Sequence, residues 1–433
     1  MHNRVLIVGT IPYNENTSSR AFDAYFHNWE KENLRQIFSN TKTPTKGHCG
    51  SLYQITDFRL LKRRFNHKID TGVIFNYEDL PDKNESNDLE IDSKIGERFY
   101  KSGSRKNSFK KLLRKILWKK KYWCTDKLRS WLEDFKPECV FIAFSSDFFI
   151  LEIALFVADY FNIPIMACIG DDYYFNKKKT FSPFYRIYKN KYRRIVDKVF
   201  SHKCSAIYIS NKIRNKYNSY FKINGDTVYL PSDIIRKEFK EINTDKPLIT
   251  YCGNIRTGRN ESLLDIANAL QRINSDYHIQ VYSAEKDKKF IKPMLSNKGI
   301  EYKGFVPYNM VKKLFEQSDI TIIVESFKQK YIDTVRYSLS TKAADSISSG
   351  CNILTYGSSD CGVVEYMLNS KCSAVCLAKE NLIDCLNKFL FDVNFQKELY
   401  ENGENILNTN HNKNESNKKS EMLFDRLIHE TNE

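Results

Sequence analysis

The chain has 433 residues, a formal net charge of +15 and 41% hydrophobic residues. This length exceeds that of a usual single domain, so the sequence predicts two domains with separate cores. No apolar run approaches the roughly 18 residues that a transmembrane helix needs, which excludes one among the expected elements. The 11 cysteines lack paired or zinc-like spacing, which indicates reduced thiols in a cytosolic protein.

The first half of the chain alternates short apolar runs with helix-like segments. Residues 20–31 and 148–160 have helical patterns, and residues 4–9 form a first strand rather than a signal peptide. Alternating strands and helices predict parallel, doubly wound α/β sheets. Further strands are expected at residues 73–77, 139–144, 163–169, 206–210 and 227–231.

Two polar places in this half are candidates for chemistry. Asp171 and Asp172 follow the predicted strand 163–169, at the strand end where α/β enzymes build their sites. Either carboxylate can orient a hydroxyl group or accept its proton, although a turn or helix-capping role is equally expected. Arg20, at the start of a predicted helix, can bind a phosphate, although an exposed helix-terminal arginine is more common.

In the second half, residues 248–253 predict a buried strand that ends in a glycine and leads into a helical pattern. Gly253 allows close backbone approach, and Arg259 can make a forked contact with a phosphate. This loop alone is a weak signal.

The strongest pattern is a polar loop that leads into a helix at 341–349, which Gly350 ends before a strand at 352–356. A helix N-terminus offers free N–H groups and a partial positive charge to a phosphate. Lys342 and Asp345 share one helix face, so the cation suits a diphosphate and the carboxylate suits the ribose of a nucleotide sugar. The alternative is an ordinary β-α-β unit with a solvated Lys–Asp pair.

These two loops, together with the strand and turn of residues 300–307 that lie between them in the chain, resemble the corresponding segments of the GT-B glycosyltransferases in order and spacing. The likeness is greatest to the retaining, family-4-like group that acts in bacterial surface polysaccharide synthesis, and it covers about residues 245–390 well. It implies two Rossmann-like doubly wound domains facing a cleft. The expected parts are an acceptor-binding domain at 1–235, a nucleotide-sugar domain at 236–400 and a partly mobile tail at 401–433.

The resemblance also implies roles for the residues of the helix 341–349 and the loop before it. Asp345 stands five residues before Gly350, the position of the family's ribose-binding carboxylate. Tyr337 stands where the family has its first Glu, which is a departure from the paired-Glu pattern. The loop whose backbone amides would meet the diphosphate contains Ser338, Ser340 and Thr341.

The remaining implied contacts lie in three other loops. Asn254 replaces the family's first arginine in the Gly-rich loop, so Arg256 is the other candidate for that cation. Phe305 belongs to the strand and turn that hold the base. Gly9 and Thr10 follow the first strand, where the family's loop faces the acceptor.

The resemblance implies acceptor roles for three further residues of the first half. Arg20 would bind a phosphate of the acceptor. Asp171 and Asp172 stand in the loop that lies near the acceptor in the family, so either would orient the acceptor hydroxyl or accept its proton.

No Asp-x-Asp pair occurs in the chain. We therefore expect an enzyme that uses no metal and no cofactor and that takes a nucleotide-diphosphate sugar as its co-substrate. The cations and the helix N-terminus would stabilise the leaving diphosphate in place of a metal.

A basic segment gives the remaining signal. Residues 105–121 contain nine Lys or Arg and no acid, with apolar residues at helical spacing and Trp118 beside them. The pattern predicts that 105–123, in an insertion near 80–123, lies on an anionic membrane surface with Trp118 in the interface. The alternative is a core-packed helix with a solvated basic face. Nucleic acid ranks low, because no recognised binding motif is present.

The sequence thus predicts a metal-independent, retaining glycosyltransferase, peripheral on the cytoplasmic face of a bacterial membrane. Its acceptor would be lipid-linked, or belong to lipopolysaccharide or capsule. A nucleotide-sugar epimerase of the same architecture is one alternative. A non-catalytic scaffold of a polysaccharide complex is another, since Tyr337 lacks a carboxylate.

Overall fold

The computed structural model describes residues 2–13, 20–41, 44–81, 108–176 and 181–432. These form two compact units, one of Met1–Val228 with Asn417–Glu433 and one of Tyr229–Ser416. The division lies slightly before the boundary expected at 235, and it assigns the last residues of the chain to the first unit.

The first unit is built on an eight-stranded sheet. Its strands are β1 (Val5–Val8), β2 (Leu34–Phe38), β3 (Ser51–Ile55), β4 (Gly72–Asn76), β5 (Cys139–Ala143), β6 (Ile165–Ile169), β7 (Cys204–Tyr208) and β8 (Asp226–Thr227). Their order across the sheet is β4-β3-β2-β1-β5-β6-β7-β8. Neighbouring strands are parallel, except that β3 and β4 are antiparallel.

Helices connect these strands and cover the sheet. They are α1 (Arg20–Phe26), α2 (Asp57–Phe65), α3 (Ser108–Leu117), α4 (Lys120–Trp123), α5 (Asp126–Phe135), α6 (Phe148–Phe161), α7 (Pro183–Ser201) and α8 (Asn211–Phe221). The parallel strands are buried on both faces, which is why β5 and β6 read as continuous apolar runs in the sequence.

Strands β2 and β3 were missed by the sequence analysis because each contains a buried glutamine. Gln36 of β2 accepts from Tyr13 N at 2.6 Å and donates to Ile11 O at 2.8 Å. Gln54 of β3 donates to Asn40 O at 2.7 Å. These amides satisfy backbone groups of the loops at the strand ends, so polar residues stand at core positions and interrupt the apolar pattern.

The second unit contains a six-stranded sheet. Its strands are β9 (Ile249–Cys252), β10 (Ile279–Tyr282), β11 (Ile300–Gly304), β12 (Ile320–Val324), β13 (Asn352–Tyr356) and β14 (Ala374–Cys376). They are all parallel and lie in the order β11-β10-β9-β12-β13-β14.

The helices of the second unit alternate with these strands and pack on both faces of the sheet. They are α9 (Arg259–Ile273), α10 (Lys288–Leu295), α11 (Tyr308–Gln317), α12 (Gln329–Val335), α13 (Thr341–Ser349), α14 (Gly362–Ser370), α15 (Leu382–Phe391) and α16 (Val393–Asn410). A further helix, α17 (Lys413–Asn432), begins in this unit and ends in the first.

Both sheets reverse their strand order at one point. In the second sheet the chain runs outward from β9 to β11 and then returns to β12 on the other side of β9. In the first sheet the same reversal separates β1 from β5. Ligands of doubly wound folds bind outside the carboxyl ends of the strands at such a switch point.

The chain end, expected as a partly mobile tail at 401–433, is mostly helical. Helices α16 and α17 cover nearly all of it, with His411 and Asn412 between them. The His411 ring lies 2.8 Å from Leu230 O through Nδ1 and 2.8 Å from the Tyr366 hydroxyl through Nε2. The polar, Asn-rich composition of the chain end therefore belongs to helices that specific hydrogen bonds hold in place.

Candidate functional site

The candidate donor site begins at the carboxyl end of β9, where Gly253 adopts a φ of +146°. A Cβ at this position would lie 2.1 Å from Lys342 Cε and 2.2 Å from its Nζ. A side chain here would displace the end of the Lys342 side chain, and the positive φ also favours glycine. The structure thus brings together the two loops that the sequence analysis singled out.

Lys342 is the second residue of α13, and its backbone N–H donates to the capping Ser340 hydroxyl at 3.3 Å. Its Nζ donates to the Tyr251 hydroxyl at 2.9 Å and lies 4.4 Å from the centre of the Tyr251 ring. Burial, together with the charge of Arg259, lowers the pKa of the Lys342 ammonium to about 7. Lys342 is thus poised to gain charge when an anion enters.

Arg259, the first residue of α9, forms a two-point ion pair with Glu325. Its Nε lies 3.1 Å from Glu325 Oε2, and its Nη2 contacts Oε1. Glu325 directly follows β12 at the switch point and is buried. The sequence analysis missed Glu325, although a carboxylate that directly ends an apolar strand is a detectable signal.

Asp345 lies one turn after Lys342 on α13 and is buried. Its Oδ1 accepts from the Ser232 hydroxyl at 2.7 Å and from the Tyr308 hydroxyl at 3.2 Å. Neither hydroxyl was singled out from the sequence. They hold the carboxylate in place, and Tyr308 is partly exposed beside it.

The turn between β9 and α9 directs its other polar residues elsewhere. Arg256 Nη2 lies 2.9 Å from Glu285 Oε1, and this forked pair lowers the pKa of Glu285 to about 2. Asn254 accepts from Arg256 N at 2.7 Å through its side chain, and its carbonyl accepts from the Tyr251 hydroxyl at 2.6 Å. Arg256 is therefore paired with Glu285, whereas Arg259 is paired with Glu325.

The other predicted donor residues lie around these charges. Phe305 is 71% exposed and follows Gly304 at the end of β11. Thr341 is exposed at the first position of α13. The backbone N–H of Ser338 donates to Val335 O at 3.0 Å, so this amide is engaged within the chain.

The candidate acceptor residues of the first unit follow β1 and β6, with β5 between these strands. Gly9 and Thr10 extend β1, and Asp171 comes shortly after β6. Because the three strands are parallel, these residues lie at one edge of the sheet, with the two strands roughly 10 Å apart. Arg20 begins α1, but the described part of the structure does not include its side chain.

The two carboxylates after β6 differ in their surroundings. Asp172 Oδ1 accepts from Tyr174 N at 3.1 Å, Phe175 N at 2.8 Å and the Tyr217 hydroxyl at 2.9 Å. These bonds build the turn, as the structural alternative in the sequence analysis supposed. Asp171 is exposed and accepts from the Tyr173 hydroxyl at 3.2 Å. Of the pair, Asp171 is the better placed for an acceptor.

The basic segment forms α3 with its charged face inward. Arg114 Nε lies 2.9 Å from Asp57 Oδ1, and its Nη1 lies 3.3 Å from Asp147 Oδ2. Lys115 pairs with Glu152. The helix packs against the protein, as the alternative in the sequence analysis supposed. The solvated basic face of that alternative is wrong, because acids of other elements pair with the basic residues and turn this face inward.

Trp118 follows α3 and is 1% exposed, so its expected place in a membrane interface is wrong. Its ring stacks on Phe149 at a centroid distance of 3.8 Å, and its Nε1 donates to Asp57. Residues 105–107 of the predicted membrane segment lie outside the described residues. Across the described ranges, no helix is long and apolar enough to cross a membrane.

Among the side chains that the structure describes, no group of three or more His, Cys, Asp or Glu is placed to hold a metal ion.

No family model and no curated protein matches the chain. Solved structures do match it over nearly its whole length. HepE of Anabaena in complex with UDP has a TM-score of 0.60 at 8% identity, covering 98% of this chain and 100% of that one. Sucrose-phosphate synthase from Thermosynechococcus elongatus has a TM-score of 0.60 at 8% identity, covering 99% of each chain.

WaaG, a glycosyltransferase involved in lipopolysaccharide biosynthesis, has a TM-score of 0.54 at 12% identity, covering 96% of this chain and 99% of that one. At such identities the similarity establishes the fold. The chain has the GT-B fold, with two Rossmann-like units, as the sequence analysis predicted.

Proposed function

We propose that this protein transfers a sugar from a nucleotide-diphosphate sugar to a hydroxyl group of an acceptor. The observation that carries the proposal is the placement of Lys342 and Arg259 at the switch point of the second sheet, beside the N-terminus of α13. The similarity to HepE, which was solved with UDP and with UDP-glucose, supports a donor of this class.

In this proposal, the diphosphate lies at the N-terminus of α13, where backbone N–H groups and the helix dipole favour an anion. Asp345 accepts hydrogen bonds from the ribose hydroxyls, and exposed Phe305 lies against the base. Ser340 and Thr341 form the part of the loop that faces the phosphates.

The leaving group gains negative charge as the bond between the sugar and the diphosphate breaks. Fixed cations in a water-poor site stabilise this charge more in the transition state than in the ground state. Lys342 and Arg259 supply the cations, and the reaction proceeds without a divalent metal. Glu325 balances Arg259 while the site is empty, so the diphosphate must compete with this carboxylate or share the guanidinium with it.

On the acceptor side, Asp171 orients the attacking hydroxyl, and Gly9 and Thr10 line the approach. Arg20 stays a predicted contact of an acceptor phosphate. We propose a lipid-linked, lipopolysaccharide or capsule acceptor and retention of configuration at the sugar. The retaining chemistry follows from the resemblance of residues 245–390 to the family-4-like group. The protein would then act at the cytoplasmic face of a bacterial membrane.

A panel of nucleotide sugars with mass detection tests the proposal. A transferase slowly releases nucleoside diphosphate from its donor even without an acceptor, and Lys342→Ala abolishes that release. Interconversion of the sugar without release would instead indicate an epimerase. Binding without release or interconversion would indicate a scaffold, the alternative that Tyr337 raises.

A further inference from the structure

Helix α3 has its apolar side chains outside and its charged side chains inside. Leu113 is 49% exposed and Ile116 is 46% exposed, and Phe109 is exposed beside them. At about 100° per residue, these three side chains fall within an arc of roughly 60°. The inward basic side chains, among them Arg114, lie on the opposite side of the helix.

The outward face of α3 continues onto the start of α7. Phe109 meets Phe184 edge to face, with ring centroids 5.0 Å apart. Phe184 and Ile187 are both exposed and stand three residues apart on α7. Two helices therefore present one apolar surface, which we call the α3–α7 surface and define as Phe109, Leu113, Ile116, Phe184 and Ile187.

Exposed cations flank the α3–α7 surface in the sequence of both helices. Exposed Lys119, Lys120 and Lys121 follow α3, and exposed Arg186 and Lys191 lie on α7. Residues 108–125 and 181–196 contain no Asp or Glu. An apolar patch with a cationic rim complements a surface that has an apolar interior and anionic groups at its boundary.

We propose that the α3–α7 surface inserts its apolar side chains into an anionic lipid bilayer, while the surrounding lysines and arginines contact the lipid head groups. A lipid surface fits both features of this part of the protein. Its interior accepts the exposed apolar side chains, and its anionic head groups attract the neighbouring lysines and arginines, which have no acids among them. This inference rests on the proposed function, since a lipid-linked acceptor places the substrate in the same membrane. The proposed contact differs from the one predicted from the sequence, which used the basic residues of α3 and Trp118. In the structure, Arg114 and Lys115 of α3 pair with acids of the protein, and Trp118 is buried.

The native tryptophans make a clean optical test possible. All of them, Trp29, Trp118, Trp123 and Trp131, are buried, so they give a constant background and only a tryptophan placed on the surface should respond to lipid. In the full-length Leu113→Trp variant, vesicles of phosphatidylglycerol and phosphatidylcholine should shift the emission to the blue, and brominated lipid should quench it. Phe65→Trp is the matched control, since Phe65 is 82% exposed on α2 of the same unit and follows Lys62, Arg63 and Arg64.

Removal of the apolar side chains is the complementary test. The triple variant Leu113→Ser, Ile116→Ser, Ile187→Ser should lose at least tenfold in vesicle affinity, whereas Phe65→Ser should retain it. Part of the binding should survive 0.5 M salt, since the Debye length there is only about 4 Å and head-group attraction is screened. Release of nucleoside diphosphate should be unchanged in the triple variant, because the donor residues lie in the other unit. Loss of vesicle binding and of donor release thus report separately on the two proposals.

Three results would overturn the proposal. Equal vesicle binding by the triple variant and the wild type would remove the surface from the interaction. A concentration-dependent dimer that the triple variant abolishes, without vesicle binding by the wild type, would make the surface an interface between copies. Blue-shifted Leu113→Trp emission already in buffer, with no change on vesicles, would show that the chain itself covers the surface.

Discussion

Arg259 and Glu325 face each other across the switch point of the second sheet, with Arg259 Nε 3.1 Å from Glu325 Oε2 and a second contact between Nη2 and Oε1. Both side chains are largely withdrawn from solvent, with exposures of 16% and 3%. The pair holds a guanidinium ready at the proposed diphosphate site while cancelling its charge in the empty protein.

This pairing predicts opposite effects of two substitutions on nucleotide binding. Arg259→Ala should weaken UDP binding by tenfold or more, since a charge-assisted hydrogen bond is worth about 1.5–3 kcal/mol. Glu325→Gln should strengthen binding, because a competing carboxylate is removed. Calorimetry on both variants and on the double variant gives the coupling energy. Weaker binding by Glu325→Gln would show that the carboxylate orients the guanidinium rather than competing with the ligand.

The buried ammonium of Lys342 predicts a pH dependence of donor binding. With a pKa of about 7 in the empty site, Lys342 is mostly charged at pH 6 and mostly neutral at pH 8.5. A diphosphate raises this pKa, so affinity should fall above pH 7 by up to about tenfold per pH unit. The pH at which Lys342 titrates depends on the groups around it. These are the opposing charges of Arg259 and Glu325 and the neighbouring side chains of Tyr251 and Cys252.

UDP-glucose is a suitable probe for this measurement, because its esterified phosphates keep their charge over the range. Lys342→Met should bind more weakly and show a flat profile above pH 7. A wild-type profile as flat as that of the variant would contradict the assignment of Lys342 to the phosphate site.

Removal of Arg114 should destabilise the first unit. Its guanidinium balances Asp57 and Asp147, and removal of one partner of a buried ion pair costs about 3–5 kcal/mol. Urea unfolding of Arg114→Ala measures this loss. The control is Lys120→Ala, an exposed lysine for which a change within about 0.5 kcal/mol is expected. Equal stability of the two variants would contradict the inward orientation of α3.

His411 predicts a loss of stability in acid. Burial lowers the pKa of this imidazole to about 4, below its ordinary value of 6.5, so the unfolded chain binds the proton more tightly. The stability that depends on a neutral His411 is fully present above pH 6.5 and is lost as the pH falls toward 4. The free energy of unfolding should decrease by on the order of 3 kcal/mol in total. His411→Gln should show a smaller decrease in the free energy of unfolding between pH 7 and pH 4. An unchanged slope would show that the ring titrates normally.

Much of the second unit was predictable from the sequence because its signals are local. The predicted helix at 341–349 and strand at 352–356 are confirmed as α13 and β13. A capping Ser340 and a left-handed Gly350 fix the ends of this helix wherever it packs.

Local sequence signals did not predict which face of α3 is buried, or which carboxylates Arg256 and Arg259 pair with. An amphipathic period reveals two faces but not which of them is buried. That choice depends on Asp57, Asp147 and Glu152, which are distant in sequence and reach α3 only through the fold. Arg256 and Arg259 likewise stand three residues apart yet pair with carboxylates that follow different strands.

The central claim is that the second unit binds a nucleoside diphosphate through Lys342 without a metal. Titration of UDP and of GDP into the protein in EDTA, followed by calorimetry, tests it most directly. We predict saturable binding of at least one nucleotide, weakened at least about tenfold in Lys342→Ala, which corresponds to about 1.4 kcal/mol. Binding that needs added magnesium or manganese, or that Lys342→Ala leaves unchanged, would contradict the account.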